Sequence, residues 1–284
     1  MTTLAESPSV LKTSAPSTAR RMLNKVPEVT LFFWIIKILC TTVGETAADY
    51  LNVDLGFGLT NTTYVVAALL TVALIFQFRS RKYVPGIYWT AVVLISVVGT
   101  LITDNLVDNM GVALQTTTIV FSIALAATFA VWYGFERTLS IHSIVSFPRE
   151  AFYWLAILFT FALGTSAGDQ VAESYGLGFF VSVLIFAAAI ALVTLAHFRF
   201  GLGPILAFWL AYILTRPLGA SVGDLMSQPT AAGGLGLGTT GTSLIFLTAI
   251  AALVAYLTLT RVDQTPPEVV EADLEAHPDP ALQS

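Results

Sequence analysis

Four aspartates that follow a glycine at a fixed spacing are the residues of this sequence most suited to chemistry. The four pairs are Gly44 and Asp49, Gly99 and Asp104, Gly164 and Asp169, and Gly219 and Asp224. Glu45 adds a further carboxylate beside the first pair. Carboxylate oxygens are hard ligands that suit Ca²⁺, Mg²⁺ or Mn²⁺, and rings of acidic side chains select cations. The pattern therefore predicts a cation site in which Asp49, Asp104, Asp169 and Asp224 are metal ligands or proton acceptors.

The acidic residues also allow a simpler interpretation, in which they are solvated side chains at helix ends. This alternative stays open for the four aspartates and is favoured for Asp54, which lies in a loop. Spacing supports a functional role, because three acidic pairs are separated by four residues and share one helix face. These pairs are Glu45 and Asp49, Asp104 and Asp108, and Asp169 and Glu173. Repulsion within each pair calls for a counter-charge, and Glu45 is expected to supply extra charge to the site.

Two basic residues, Lys37 and Arg216, lie inside apolar runs. A charge inside a membrane helix is costly, so it usually faces the protein interior and has a partner. Acidic partners on neighbouring helices are expected, because Glu45 and Asp224 are two helical turns away on the same runs. One interpretation makes Lys37 and Arg216 gating or counter-ion groups. In the other, Lys37 extends to the cytoplasmic interface and Arg216 forms a fixed structural ion pair.

Composition identifies the elements that must position these groups. The chain is 56% hydrophobic and only 11% charged, with a mean hydropathy of +0.79, whereas a soluble domain carries about 25% charged residues. Eight apolar runs are each long enough to cross a bilayer as a helix. They span residues 29–51, 60–79, 84–108, 112–134, 151–173, 176–198, 203–226 and 241–261. The predicted fold is an all-α, polytopic membrane helical bundle.

A duplication organises the eight predicted helices into two halves and four hairpins. At a shift of 120 residues, Trp34 aligns with Trp154 and Trp89 with Trp209, as do the glycines and aspartates above. Each hairpin crosses the membrane twice, so every copy has the same orientation and all four aspartates lie at one end. Gly44, Gly99, Gly164 and Gly219 are expected to permit close helix approach. The four tryptophans are expected to anchor helix ends at the interface.

The distribution of basic residues predicts the orientation of the chain. Eleven of the 13 Lys and Arg residues lie near the two termini or near the loops that connect one hairpin to the next, which are all on the same side. Cytoplasmic loops are enriched in Lys and Arg, so both termini are predicted to be cytoplasmic. The predicted organisation is a polar tail at 1–27, four-helix repeats at 28–145 and 146–261, and an acidic, disordered tail at 262–284.

Three stretches also resemble a known family. They are residues 25–37 (KVPEVTLFFWIIK), residues 41–51 (TTVGETAADYL) and residues 164–169 (GTSAGD). They resemble uncharacterised bacterial multi-pass proteins, often labelled membrane-anchored repeat proteins, which implies a bacterial cytoplasmic membrane. A looser similarity links the acidic repeats to calcium and manganese exporters with paired Glu-x-Gly-Asp motifs. The chain departs from that pattern in having parallel repeats.

The leading hypothesis is a membrane protein that transports an inorganic cation through a carboxylate-lined outer site. The alternative is a scaffold or sensor that transports nothing. We do not expect an enzyme, because the sequence contains no recognisable catalytic nucleophile or catalytic metal-ligand motif. We also expect no cofactor, apart from a possible transported Mn, Ca or Mg ion. The expected partners are the lipid bilayer and a small inorganic cation, with no nucleic acid. The oligomeric state stays open.

Overall fold

A computed structural model describes residues 24–282 of the chain. The rest of the predicted polar tail, residues 1–23, lies outside the described residues. The described part is all-α and contains no strand. Its helices are α1 (Leu31–Asp49), α2 (Leu59–Arg79), α3 (Pro85–Asp104), α4 (Leu114–Glu136), α5 (Phe147–Asp169), α6 (Gly178–Phe200), α7 (Pro204–Ser227), α8 (Gly238–Thr260) and α9 (Pro267–Ala276).

The helices α1 to α8 are long and apolar enough to cross a membrane, which indicates a multi-pass membrane protein. The predicted helical bundle is thereby confirmed, and the predicted spans fall within a few residues of the observed helices. Start signals are local: the Thr30 hydroxyl accepts a hydrogen bond from Phe33 N at the first turn of α1, and Ser146 caps α5 through Arg149 N.

Pairs of helices form four hairpins, α1–α2, α3–α4, α5–α6 and α7–α8, and the first helix of each is an inner helix. The inner helices α1, α3, α5 and α7 form a closed ring in which α7 packs against α1. Each outer helix packs mainly against the inner helix of the next hairpin, so α2 lies on α3, α4 on α5 and α6 on α7. The helix α8 completes this pattern by packing against α1.

The outer helices present apolar side chains to the surroundings. Val65 on α2, Ile123 on α4, Leu192 on α6 and Leu259 on α8 are all exposed. In a membrane this surface faces lipid, whereas the inner ring is mostly buried. Polar side chains that do chemistry must therefore lie inside the ring or at its ends.

The four repeated glycines set the distance between inner helices. Each packs against the following inner helix at the position three residues before that helix's own glycine. Gly44 meets Ser96, Gly99 meets Phe161, Gly164 meets Arg216, and Gly219 meets Thr41. A methyl group at any of the four would overlap these neighbours. The four glycines therefore allow close helix approach, as predicted. The contact of Gly219 with Thr41 joins the fourth hairpin to the first.

We call the end of the ring that carries the repeated aspartates the acidic end, and the opposite end, which carries both described termini, the basic end. At the acidic end three inner helices continue beyond their aspartate as one π-helical turn. These turns are Tyr50–Asp54, Asn105–Asn109 and Gln170–Ser174. The helix α7 instead continues to Ser227 and is followed by a short 3₁₀ turn, Thr230–Ala232. The fourth hairpin therefore departs from the other three.

The C-terminal segment differs from the predicted disordered tail. It forms α9, and Val270 on this helix is buried. Asp273 accepts a 2.5 Å hydrogen bond from Ser143, and Asp279 lies 3.4 Å from the buried guanidinium of Arg149. Acidic composition indicated solvation, but these two aspartates have partners at the basic end, and their contacts hold the segment against the bundle.

The predicted interfacial role of the tryptophans also needs correction. Trp89, Trp154 and Trp209 are buried, and only Trp34 is partly exposed. The indole of Trp89 donates to the Tyr83 hydroxyl, and that of Trp209 donates to Leu139 O. These residues lie near the predicted end of the helices, but they pack against neighbouring aromatic side chains such as Tyr88, Trp132 and Tyr153 instead of facing lipid.

Candidate functional site

A cavity of about 160 Å³ lies at the acidic end of the ring, and we call it the acidic cavity. Side chains from all four hairpins line it. They are Glu45, Asp49, Thr103, Asp104, Val107, Asp108, Leu114, Asp169, Glu173, Asp224 and Gln228. The four repeated aspartates therefore share one space, as do both members of each predicted acidic pair. Equivalent positions on four helices meet because the inner helices form a ring around one axis.

The acidic side chains lie at different depths in this cavity. Glu45 and Asp224 are buried, whereas Asp49, Asp104 and Asp169 are half-buried. Asp108 and Glu173, on the π-helical turns, are exposed. Asp54 lies outside the cavity on the surface, where it accepts a hydrogen bond from Thr239. The cavity thus has an exposed acidic rim and a buried acidic floor.

The four aspartates carry no counter-charge in direct contact. Within residues 24–282, none of their carboxylates receives a hydrogen bond or a salt bridge from another side chain. The loops at the acidic end contain no Lys or Arg. In the described part of the chain, no three His, Cys, Asp or Glu side chains are grouped so that they could hold one metal ion. The roles of Asp49, Asp104, Asp169, Asp224 and Glu45 as metal ligands therefore stay predictions.

Arg216 contacts Glu45, which lines the acidic cavity. Its guanidinium is fully buried and lies 2.9 Å from the Glu45 carboxylate. The same guanidinium donates to Thr100 and, at 2.7 Å, to Thr165, and it reaches Thr41 O at 3.3 Å. An acidic partner on a neighbouring helix was expected for Arg216, and Glu45 on α1 is that partner.

The partners of Arg216 follow the repeat. Glu45, Thr100 and Thr165 each directly follow the glycine of their hairpin, and the corresponding residue of the fourth hairpin is Ala220. One arginine from the fourth hairpin is thus bound by equivalent positions of the other three. Sequence reasoning did not identify the two threonines, although their position after the repeated glycine could have indicated them.

Lys37 lies deeper on the ring axis and has no polar partner. Its side chain is fully buried, and its ammonium nitrogen has no hydrogen-bond acceptor within the described residues. The nitrogen lies 4.1 Å from the centre of the Tyr212 ring and 4.3 Å from that of Phe161. An extended Lys37 that reaches the interface is therefore wrong, and so is an acidic partner for it. Cation–π attraction to these two aromatic faces is what the described contacts offer the nitrogen.

Aromatic side chains fill the axis below this lysine. Phe33, Tyr88, Tyr153 and Phe208 occupy the same position in each of the four inner helices. All four are buried, and the hydroxyls of Tyr88 and Tyr153 lie 2.5 Å apart. The axis is thus occupied by Arg216, Lys37 and aromatic rings between the acidic cavity and the basic end.

Comparison with known families agrees with the fourfold arrangement. A family model described as a repeat of unknown function (DUF347) matches the chain four times, at residues 32–83, 87–138, 152–202 and 207–263. Each match covers one hairpin, and together they cover most of the chain, which therefore belongs to this repeat family. No curated protein and no solved structure matches the chain.

Proposed function

We propose that this member of the DUF347 repeat family binds an inorganic cation in the acidic cavity as a step in its transport across the membrane. The observation that carries the proposal is that one aspartate from each of four hairpins lines a single cavity without a salt-bridge partner. Like charges brought together in this way repel one another, and a cation relieves the repulsion. Carboxylate oxygens favour Ca²⁺, Mg²⁺ or Mn²⁺ over soft metals.

The position of the cavity supports entry of cations from one side. Its rim is acidic, its loops lack basic residues, and the basic loops lie at the other end of the helices. A cleft lined by one sign of charge concentrates the oppositely charged ion at its mouth. We place the acidic end on the outer side of the cytoplasmic membrane, because basic loops favour the cytoplasmic side.

Flux through proteoliposomes tests this proposal. Mn²⁺ or Ca²⁺ uptake should exceed that of empty liposomes, and Asp169→Asn should reduce it by at least about tenfold, since removal of one partner from a buried charge pair costs about 2–5 kcal/mol. Asp54→Asn is the matched control, because Asp54 lies outside the cavity, and it should leave uptake unchanged. Protease cleavage at the termini scores the orientation of the chain in the vesicles. Uptake equal to that of empty liposomes for every cation tested would exclude transport.

A second function, cation sensing without transport, is favoured by the filled axis. Arg216 and Lys37 are fully buried between the cavity and the basic end, and aromatic rings follow them. A sensor should bind Mn²⁺ with a dependence on Asp169 and show no uptake. Binding without flux would therefore select the sensor, whereas flux that requires Asp169 selects the transporter.

A further inference from the structure

We propose that Arg216 is a built-in competitor for Glu45, which an entering cation must displace, so that filling the acidic cavity loosens the axis of the ring. This inference rests on the proposed function, because it requires that a cation enters the cavity. It adds a role for a residue that does not belong to the predicted ligand set.

The first step is that Glu45 belongs to two sites at once. Its side chain lines the acidic cavity beside Asp49 and Asp224. The same carboxylate is 2.9 Å from Arg216. A cation coordinated by Glu45 and the guanidinium bound to Glu45 Oε2 both draw on the negative charge of one carboxylate. Occupancy of the cavity and the strength of the salt bridge are therefore linked.

The second step is that Glu45 is the one charged group in contact with the guanidinium within the described residues. The remaining acceptors are the hydroxyls of Thr100 and Thr165 and the carbonyl of Thr41, all neutral. A buried charge that loses its counter-charge is strongly destabilised. When a cation neutralises Glu45, Arg216 should therefore leave its present position.

The third step is that the neighbourhood has polar atoms available for another arrangement. Arg216 Nε, Ser96 Oγ and Tyr212 Oη are buried and have no hydrogen-bond partner in the described structure. Buried polar groups are normally paired, so these atoms are available to form new hydrogen bonds when Arg216 moves. Lys37 carries a further unpaired nitrogen on the same axis.

The fourth step is that the arginine breaks the repeat at the point of closest helix packing. The corresponding residues of the other hairpins are Thr41, Ser96 and Phe161, and each of the four positions packs against the glycine of the preceding inner helix. Gly164 contacts the Cβ and Cγ of Arg216. Movement of Arg216 would therefore alter the α5–α7 contact, which connects the ligand site to the packing of the ring.

Binding of Mn²⁺ to the full-length protein in detergent tests competition directly. Arg216→Gln should raise the apparent Mn²⁺ affinity at least about fivefold, the lower end of ordinary coupling between two sites. The double variant Arg216→Gln/Glu45→Gln should lose this gain, because the freed carboxylate is absent. If Arg216 only stabilises the fold, Arg216→Gln should not raise the Mn²⁺ affinity.

A milder pair of variants covers the case in which Arg216→Gln does not fold. Thr165→Val and Thr100→Val each remove one hydrogen bond to the guanidinium and keep its charge, and Thr100→Val also removes the 3.3 Å hydrogen bond that Thr100 donates to Glu45. Each should raise Mn²⁺ affinity by a smaller factor than Arg216→Gln, and Thr165→Val is the cleaner of the two. Thr117→Val is the matched control. Thr117 is also buried, but it lies on the outer helix α4, and among residues 24–282 its hydroxyl hydrogen-bonds only to Ala113 O in the same helix. Its removal should leave affinity unchanged.

Labelling of Cys40, the single cysteine of the chain, reports on the axis. Cys40 is fully buried on α1 between Lys37 and Glu45. Mn²⁺ should accelerate its reaction with a maleimide in the wild-type protein and should have no effect in Asp169→Asn. Unchanged labelling, or equal Mn²⁺ affinity in wild type, Arg216→Gln and the threonine variants, overturns the inference and leaves the proposed function intact if Asp169→Asn still weakens binding. Absence of Mn²⁺ binding in every variant overturns both.

Discussion

Glu28 and His142 form an ionisable contact outside the membrane-spanning helices. The His142 Nδ1 atom lies 3.6 Å from Glu28 Oε2, and both side chains are partly exposed. The adjacent imidazole lowers the pKa of Glu28 below its ordinary value of 4.5, and the adjacent carboxylate raises the pKa of His142 above 6.5. The contact joins the segment before α1 to the loop before α5, so it contributes to closure of the basic end.

The two pKa shifts define a window of pH in which this contact stabilises the fold. The contribution of His142 is complete below its unfolded pKa and is lost as the pH rises through its raised value in the folded protein. The contribution of Glu28 is lost only as the pH falls through its lowered value. Thermal unfolding should therefore show wild type more stable than His142→Ala near pH 6, by less than about 1 kcal/mol at so exposed a pair. The difference should vanish near pH 9; an equal difference at both values would refute this account.

At the same scale, sequence reasoning located the acidic residues better than the basic ones. The aspartates could be assigned to one end because each hairpin crosses the membrane an even number of times, and that argument needs no knowledge of packing. The partner of Lys37 could not be predicted, because it depends on how α1 is rotated within the ring. The orientation of α1 about its own axis places Lys37 between the rings of Phe161 and Tyr212, whereas Arg216 contacts Glu45.

At the scale of elements, the repeated glycine is the main device that defines an inner helix. Backbones approach closely in membranes where small residues line the contact. Gly99 illustrates the geometry, because an added Cβ would lie against the Phe161 Cβ atom and the Ala162 backbone. The neighbours are backbone atoms and a Cβ, which cannot rotate away.

Substitution of this glycine should therefore destabilise the protein. Gly99→Ala should cost about 1–3 kcal/mol, the usual range for overpacking in a well-packed interior. Gly134→Ala, on the outer helix α4, is the matched control, because nothing lies within 4 Å of the added methyl group. Thermal unfolding in one detergent compares the two variants. Equal loss of stability would show that the close approach of α3 and α5 is not the cause.

The elements could be predicted from hydropathy, but their neighbours could not. Apolar runs long enough to span a bilayer specify α1 to α8, and the glycine repeat indicates which helices are inner. Length and composition contain no information about which outer helix covers which inner one. The tryptophans were misassigned for this reason, since Trp89 and Trp154 belong to inner helices that are covered by neighbours.

At the scale of the molecule, the ring is held closed by contacts between its first and last hairpins. Gly219 packs against Thr41, and the Thr46 hydroxyl lies 2.8 Å from that of Ser243 on α8. The fourth hairpin thus covers the first in the same way as each earlier hairpin covers the next.

A disulfide should form across this closure. In a Cys40→Ala background, Thr46→Cys and Ser243→Cys should cross-link on mild oxidation, because hydroxyls in contact place the Cβ atoms near the separation of about 3.5–4.5 Å that a disulfide requires. Cleavage at a protease site introduced into the loop between α4 and α5 then leaves two halves joined until the disulfide is reduced. Replacing Ser243→Cys by Thr194→Cys, on the exposed face of α6 in the same C-terminal half, should abolish the link. Cross-linking of both pairs alike would contradict the closed ring.

Closure of the ring also brings the segment before α1 and the segment after α8 together at the basic end. Glu28 N donates a 2.8 Å hydrogen bond to Asp263 O, immediately outside α1 and α8. A short peptide can therefore bridge this junction while a new opening is made between any two other hairpins. Such a circular permutant keeps the packing of α1 to α8, so the order of the four units along the chain and their spatial arrangement are independent of each other.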